Sequence, residues 1–198
     1  MPSPLLRPLV SRPLLLVALV LTILVHGALL ISGSWDGTYD AHVHLFFADH
    51  YGRDWFSTWD TRWYTGFPVT SYPPGAHMLL AVASRALPVA LAYPLVQVAV
   101  LVLLVLGVYR FARLWVDDRT AQVAALLAAL STSLGEVVHV FGQLPTTVGL
   151  AFTLHALPFA HRWVRHGDRR AMLLALSCAA AATAGHHVTT LFGAVFFV

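Results

Sequence analysis

The sequence contains no lysine, a single cysteine and few charged residues of either sign. Of its 198 residues, 11% are charged and 58% are hydrophobic, whereas a soluble domain carries about 25% charged residues. The mean hydropathy of +0.72 indicates a chain that folds mainly in a lipid bilayer, and it excludes a disordered or collagen-like chain. The one cysteine, Cys178, excludes a disulfide framework and a cysteine-based zinc site.

All twelve basic side chains are arginines, and most of them lie in three clusters that border apolar segments. Because arginine concentrates on the cytoplasmic side of membrane spans, we expect all three clusters and the N-terminus in the cytoplasm. The arginines are not gathered on one water-facing surface, so nucleic acid is not an expected partner. The clusters are Arg7 and Arg12; Arg110, Arg113 and Arg119; and Arg162, Arg165, Arg169 and Arg170.

Long apolar segments predict an all-α polytopic membrane protein with about five transmembrane helices in one transmembrane domain. A helix over residues 14–32 reaches ~28 Å, close to the ~30 Å hydrocarbon thickness, whereas a signal peptide, the alternative, has an apolar core of about 7–15 residues. The last apolar segment can break at Gly185, and because it continues to Val198 we expect the chain to be the N-terminal part of a longer protein. The predicted spans are residues 14–32, 89–109, 120–138, 144–161 and 171–190.

Residues 33–88 form the predicted extracytoplasmic loop, which contains carboxylates, histidines and many aromatic side chains. A loop of this length is usually functional or disordered, and its aromatic content argues against disorder. Residues 76–87 are too few to span the membrane, so they predict a helix at the outer interface. If that helix did cross, the cluster at Arg110 would lie outside, against the charge rule.

Two aspartates and two histidines at the start of this loop are candidate metal ligands. On a helix Asp36, Asp40 and His44 share one face, whereas on a strand Asp40, His42 and His44 do. Carboxylates suit Mg²⁺ or Mn²⁺, and imidazoles also admit zinc, so Asp40 and His44 are predicted to bind a divalent metal. The alternative is a solvated acidic loop in which the histidines cap helices or pack.

Three segments of the loop resemble the first outer loop of the GT-C membrane glycosyltransferases, such as the oligosaccharyltransferases. Tyr39–His44 contains an aspartate shortly after the first span, residues 59–68 contain Trp-Asp and Trp-Tyr pairs, and residues 72–75 read Tyr-Pro-Pro-Gly. With the adjacent histidines at 186 and 187, the pattern is most similar to the bacterial and archaeal membrane proteins called 6-pyruvoyl-tetrahydropterin synthase-related.

The resemblance implies transfer of a sugar from a polyprenyl-phosphate or polyprenyl-diphosphate carrier in the bilayer to an acceptor outside the cytoplasm. Asp40 matches the aspartate that binds the metal or acts in catalysis in that family. Glu136 is the one acidic residue available where the family has a second acidic element. The resemblance also implies a location in the plasma membrane of a prokaryote, and it leaves the oligomeric state open.

Two basic side chains beside the predicted interface are candidates for contact with the leaving phosphate. The guanidinium of Arg85 suits a bidentate phosphate contact, and His77 lies on the same segment. The alternative for Arg85 is that it extends to lipid headgroups.

Aromatic residues of the loop and one later histidine complete the predicted substrate-binding set. The aromatics form either an interfacial belt or contacts to the sugar or the prenyl chain. His186 is predicted to position the substrate or to stabilise the structure, in preference to binding metal. The aromatic candidates are Trp59, Trp63 and Tyr64.

A transporter subunit and a non-catalytic membrane scaffold are the competing functions. A transporter should have polar or broken helices near the bilayer midplane, often in repeated halves, and the sequence shows no internal repeat. A scaffold should tolerate the simultaneous loss of Asp40 and Glu136.

Overall fold

The computed structural model describes residues 11–194, which are mostly helical, and this confirms the all-α class. Arg7, from the first arginine cluster, lies outside the described residues. The helices are α1 (Pro13–Leu21), α2 (Gly27–Ile31), α3 (Ala41–Arg53), α4 (Gly75–Ala86), α5 (Val89–Ala112), α6 (Asp118–Ala129), α7 (Thr132–His139), α8 (Leu144–His166), α9 (Arg169–Gly185) and α10 (His187–Ala194). The shorter elements are a π-helical turn (Thr22–His26), 3-10 turns (Ser34–Gly37 and Val69–Ser71) and the antiparallel strands β1 (Trp59–Asp60) and β2 (Phe67–Pro68).

Two helical segments are long and apolar enough to cross a bilayer. One is Pro13–Ile31, in which α1, the π-helical turn and α2 follow one another directly, with a mean hydropathy of 2.8. The other is α5, with a mean hydropathy of 2.6. Both agree closely with the predicted spans 14–32 and 89–109.

The third predicted span, residues 120–138, is broken in the structure. Helices α6 and α7 meet at an angle of 42°. The break follows from local chemistry, because Ser131 has extended backbone angles and caps α7 by accepting a hydrogen bond from the Leu134 amide at 3.4 Å. If this bent pair is one span, the described part of the chain contains three candidate spans.

The prediction of five spans is therefore not supported by helix length and composition. Threonines, prolines and histidines interrupt the apolar sequence of α8, which covers the predicted span 144–161. Helix α9 has 17 residues and ends at Gly185, so the predicted span 171–190 is not one helix. The break at Gly185 is where the sequence indicated one.

Residues 33–88, which are predicted to lie outside the cytoplasm and which we call the outer segment, fold into regular structure. Its first half contains α3, and its second half contains α4, which matches the predicted interfacial helix 76–87. The two helices pack against each other through apolar faces that belong to the largest core cluster. The buried face of α3 consists of Ala41, His44, Phe47, Ala48, His50 and Tyr51.

Two glycines allow α4, α8 and α9 to meet closely at one end of the helix bundle. A Cβ atom on Gly75 would lie 2.7 Å from the carbonyl oxygen of Ala184, and one on Gly185 would lie 2.6 Å from a methyl group of Val148. Both positions therefore require glycine. This close packing brings the first turn of α4 to the break between α9 and α10, where His186 lies.

The arginine clusters generate a prediction about orientation. In a Cys178→Ser background, Thr70→Cys should react with an impermeant maleimide added to intact cells, because Thr70 lies exposed in the outer segment. Val116→Cys, exposed in the connection between α5 and α6, should react only after permeabilisation. Labelling of Val116→Cys in intact cells would contradict the predicted orientation.

Candidate functional site

Asp40 is held at the start of α3 by the backbone of the segment that precedes α8. The Tyr39 amide donates to the Val140 carbonyl at 3.2 Å, and the Asp40 amide donates to the Phe141 carbonyl at 2.9 Å. We call these two bonds the loop clamp. Gly142 has φ +70° and lies directly against Thr38, where no side chain fits. The clamp joins the outer segment after the first span to the one after α7.

The Asp40 side chain is half-buried, and within residues 11–194 its carboxylate forms no hydrogen bond or ion pair. Burial raises the pKa of Tyr72, and the nearby charge of Asp40 raises that pKa further. Asp40 is thus a carboxylate available to a ligand. The other aspartates of the outer segment are engaged: Asp36 with His42, Asp49 with Arg53 and Arg62, Asp54 with the amides of residues 56 and 57, and Asp60 with His50 and Arg62.

Glu136 lies on α7, one turn before the segment that forms the loop clamp. Its backbone carbonyl accepts hydrogen bonds from the amides of Val140 and Phe141, and its side chain is exposed. In the described structure no hydrogen bond joins the Glu136 and Asp40 side chains. Their segments are adjacent, because the loop clamp joins residues 39 and 40 to residues 140 and 141.

His44 and His77 form a buried imidazole pair between α3 and α4. His44 Nδ1 lies 3.1 Å from His77 Nε2, and the two residues are 2% and 0% exposed. Burial, together with the charge that His77 and His186 would carry, lowers the pKa of His44 to about 3. Burial lowers the pKa of His77 to about 4, although the nearby Pro73 carbonyl acts in the opposite direction. Both rings are therefore neutral at pH 7.

The two outer nitrogens of this pair, His44 Nε2 and His77 Nδ1, are both buried without a hydrogen-bond partner in the described chain. Since one neutral ring donates to the other between His44 Nδ1 and His77 Nε2, one outer nitrogen carries a proton and the other a lone pair. Unsatisfied buried groups of this kind are costly, and a ligand hydroxyl would satisfy either of them.

The metal prediction for Asp40 and His44 is untested, and the structure shows what each residue could offer. No group of three or more histidine, cysteine or acidic side chains is arranged to hold a metal ion within residues 11–194. Asp40 has free carboxylate oxygens, and His44 has a free Nε2, because His77 occupies its Nδ1.

His186 lies beside this imidazole pair, whereas Arg85 lies away from it. His186 has an extended backbone between α9 and α10, packs against Gly149, and its Nδ1 lies 2.7 Å from the Thr189 hydroxyl. Arg85 is near the far end of α4, about 12 Å along the helix from His77, where its guanidinium stacks on Trp55 at 5.8 Å. The structure thus brings His77 and His186 together with His44, but not Arg85.

The predicted aromatic contacts lie along α3, away from its first turn. Trp63 packs edge-on against Phe46 in the middle of α3, with ring centroids 5.2 Å apart. Trp59 packs against Gly66 and lines a polar cavity of about 250 Å³ at the C-terminal end of α3. Tyr64 is 82% exposed. Since α3 is about 20 Å long, Trp59 and Asp40 do not share one site.

A buried ion network that the sequence did not reveal holds the hairpin on α3. Asp60 is 4% exposed, and its carboxylate lies 2.8 Å from His50 Nδ1 and 2.6 Å from Arg62 Nη2. His50 Nε2 also lies 3.1 Å from the Ser57 carbonyl. The Asp60–Arg62 spacing was visible in the sequence, but the pairing with His50 depends on how the hairpin folds back along α3.

Comparison with known proteins identifies no relative of this chain. No family model matches it, and neither a curated protein nor a solved structure shows significant similarity. The resemblance to the GT-C glycosyltransferases therefore stays a prediction from its motifs.

The Asp60 network predicts that substitutions of Asp60 and Asp49 differ strongly in their effect on the free energy of unfolding. Asp60→Asn should lower the free energy of unfolding by about 2–4 kcal/mol, because it leaves buried donors without their anion, although Arg62 is 34% exposed. Asp49→Asn should cost less than about 1 kcal/mol, because Asp49 is 58% exposed. Thermal unfolding in detergent measures both, and equal effects would contradict a structural role for the network.

The buried imidazole pair predicts a pH dependence of stability. Its folded-state pKa values lie below the ordinary value of 6.5, so the unfolded chain binds more protons between about pH 6.5 and pH 4. The free energy of unfolding should therefore decrease as the pH is lowered from about 6.5 to 4, by up to about 1.4 kcal/mol per pH unit for each histidine.

The control for this pH dependence is the double variant His44→Gln with His77→Gln, which keeps hydrogen-bonding groups but removes the titration. Unfolding temperatures of both proteins between pH 7.5 and pH 4.5 give the comparison. The variant should show the shallower slope, and identical slopes would show that other groups cause the pH dependence.

Proposed function

We propose that this chain is a glycosyltransferase of the GT-C type, with a cytoplasmic N-terminus in a prokaryotic plasma membrane. It would transfer a sugar from a polyprenyl-phosphate or polyprenyl-diphosphate carrier to an extracytoplasmic acceptor. The observation that carries this proposal is the Asp40 carboxylate, which is half-buried, has no side-chain partner in the described chain and is held by the loop clamp. A carboxylate left unpaired beside a buried imidazole pair is a candidate for chemistry.

In the proposed reaction Asp40 acts as the general base. The acceptor hydroxyl would attack the anomeric carbon, the bond from that carbon to the phosphate oxygen would break, and the leaving phosphate would keep the electron pair. Asp40 would take the hydroxyl proton. The loop clamp fixes the backbone of Asp40, and this limits the motion of its carboxylate relative to a bound substrate.

A divalent cation is compatible with this position but is not required by it. The free oxygens of Asp40 suit Mg²⁺ or Mn²⁺, with Glu136 on the adjacent segment as a second carboxylate. The cation would neutralise negative charge on the leaving phosphate. His44 Nε2, which is buried and has no partner in the described chain, can orient a substrate hydroxyl one helical turn from Asp40.

A transporter subunit is the alternative function, and one observation favours it. The π-helical turn of the first span and the bent α6–α7 pair bring His26 Nδ1 within 2.8 Å of His139 Nε2. Ionisable groups and broken helices within spans are features of transporters. His139 directly precedes Val140 of the loop clamp, but neither histidine of this pair is bonded to the Asp40 carboxylate in the described chain, so the pair gives no reason for that carboxylate to be unpartnered.

The test of the proposal is Asp40→Asn, which keeps the size of the side chain and removes its charge. Transfer from a labelled hexosyl undecaprenyl phosphate should fall about 10²–10⁴-fold, the usual effect of losing a positioned base. The unfolding temperature should stay unchanged, because no bond of the folded chain is lost. Asp36→Asn is the matched control, since Asp36 is exposed and pairs with His42, and it should keep full activity.

Wild-type turnover in a folded Asp40→Asn protein would reject the catalytic role of Asp40. If Asp40→Asn lost stability and activity to the same extent, Asp40 would have a structural role and not a catalytic one. Activity that survives stringent chelation would exclude the cation and leave Asp40 as a metal-free base.

A further inference from the structure

Two irregular places in the membrane-associated helices meet at a pair of imidazole rings. The π-helical turn of the first span ends at His26, and α7, the second half of the bent helix pair, ends at His139. His26 Nδ1 lies 2.8 Å from His139 Nε2, and the two rings are parallel within 4°. We call these two residues the interhelical pair. Both π-helical turns and ionisable side chains in membrane spans concentrate at functional sites.

The hydrogen-bond partners of the interhelical pair fix the position of every ring proton. Because α6 ends at Ala129, the carbonyl group of that residue is left without a helical amide, and His26 Nε2 donates to it at 3.4 Å. A neutral imidazole has one N–H, so His26 Nδ1 accepts from His139 Nε2. His139 Nδ1 then accepts from the Ser34 hydroxyl at 3.3 Å. The neutral pair is thus part of one directed chain of hydrogen bonds, which runs from Ser34 to Ala129.

This chain of hydrogen bonds is open to water at its Ser34 end. Ser34 and His139 are half-buried, and residues 32 and 36, on either side of Ser34, are exposed. At the other end the chain stops at a backbone carbonyl of the buried Ala129, which does not take up a proton, and His26 is only 5% exposed. A proton from water can therefore reach the pair at His139 Nδ1.

The geometry of the interhelical pair accommodates one additional proton and not two. A hydronium ion can give its proton to the lone pair of His139 Nδ1 and become water, while the Ser34 hydroxyl turns from donor to acceptor. The imidazolium then donates to Ser34 and to His26, and a charged donor forms stronger hydrogen bonds than a neutral ring. A second proton would have to add to His26 Nδ1. Because this atom already accepts from His139 Nε2, the second proton would break the bond between the rings.

The elements that pack against the interhelical pair bring no ion-pair partner to it. In the described chain no carboxylate or guanidinium is bonded to either ring. The charged residues of α6 lie about 17 Å along that helix from Ala129, and the one on α5 lies near the end of that helix. Hydrogen bonds would therefore hold the added charge. The charged groups on these elements are Asp118 and Arg119 on α6, Arg110 on α5, Asp36, which pairs with His42, and Glu136, which is exposed one turn before His139.

We propose that the interhelical pair is a binding site for one proton, which enters from the outer side past Ser34. The occupied site places a positive charge directly before Val140, whose carbonyl belongs to the loop clamp. The inference rests on the directed hydrogen bonds and the open Ser34 end. It does not depend on the proposed function, because neither histidine is bonded to the Asp40 carboxylate in the described chain.

The experiment is a pH titration of the full chain in nanodiscs, with isotope-labelled histidine and nitrogen NMR, which reports the protonation of each ring nitrogen. The chain has eleven histidines, and the signals of the pair are those that disappear in His26→Gln and in His139→Gln. The neutral rings should both carry their proton on Nε2. The pair should then take up one proton while circular dichroism shows a folded protein. Uptake of no proton, or of two protons, would overturn the proposal.

Ser34→Ala tests the open end of the chain of hydrogen bonds. The Ser34 hydroxyl binds the imidazolium more strongly than the neutral ring, so its loss should lower the proton affinity of the pair about threefold or more. Ser32→Ala is the matched control, because the Ser32 hydroxyl lies two residues away and donates to the Leu29 carbonyl at 2.8 Å. This control should titrate as the wild type does. Equal titration midpoints of the two variants would overturn the role of Ser34.

His26→Phe tests the bond between the two rings, because phenylalanine keeps a planar ring but offers no acceptor. His139 in this variant should bind its proton about tenfold more weakly. The control is His161→Phe, which removes an exposed histidine of α8 and should leave the titration of His139 unchanged. Wild-type affinity in a folded His26→Phe protein would show that His139 titrates alone and would overturn the pair as the site. If His26→Phe does not fold, the comparison of Ser34→Ala with Ser32→Ala decides.

Discussion

The candidate site depends on the loop clamp, in which the Tyr39 and Asp40 amides donate to carbonyl groups of residues 140 and 141. These bonds connect two segments that are 100 residues apart in sequence and that follow different membrane-associated helices. Because both donors and acceptors belong to the backbone, the clamp constrains position without engaging the Asp40 side chain. The backbone of Asp40 is thereby held in place while its carboxylate stays available to a ligand. An ion pair would hold the carboxylate but would also occupy it.

The sequence predicts the parts of the fold that follow from uninterrupted apolar composition. The first span and α5 agree with prediction because each is an apolar run of sufficient length between polar residues. The break between α6 and α7 could have been predicted from the sequence, since Ser131 is a typical helix-capping residue. Helix α3 was missed because its charged and aromatic composition obscured the helical spacing of Ala41, His44 and Phe47.

The site was only partly predictable, for a geometric reason. Local spacing and topology singled out Asp40 and put the segment of Glu136 beside it. A flexible loop would have allowed Arg85 and Trp59 to approach Asp40. Helices α3 and α4 instead hold these residues apart from it. The buried state of His44 and His77 was likewise beyond sequence reasoning, because it results from the packing of one helix on the other.

The π-helical turn in the first span changes which neighbours that span can contact. One additional residue in a turn rotates everything beyond it by about 100°. Before the turn, Leu15 packs in the cluster that includes α6, and after it Leu30 packs with Leu101 and Val138 of α5 and α7. Ala18 and Leu30 are 12 residues apart, which corresponds to about 120° around a regular helix, and the additional residue reduces this to about 20°. An apolar helix of equal length and regular pitch would anchor the chain in the membrane equally well, yet it would turn Leu30 away from the face that carries Ala18.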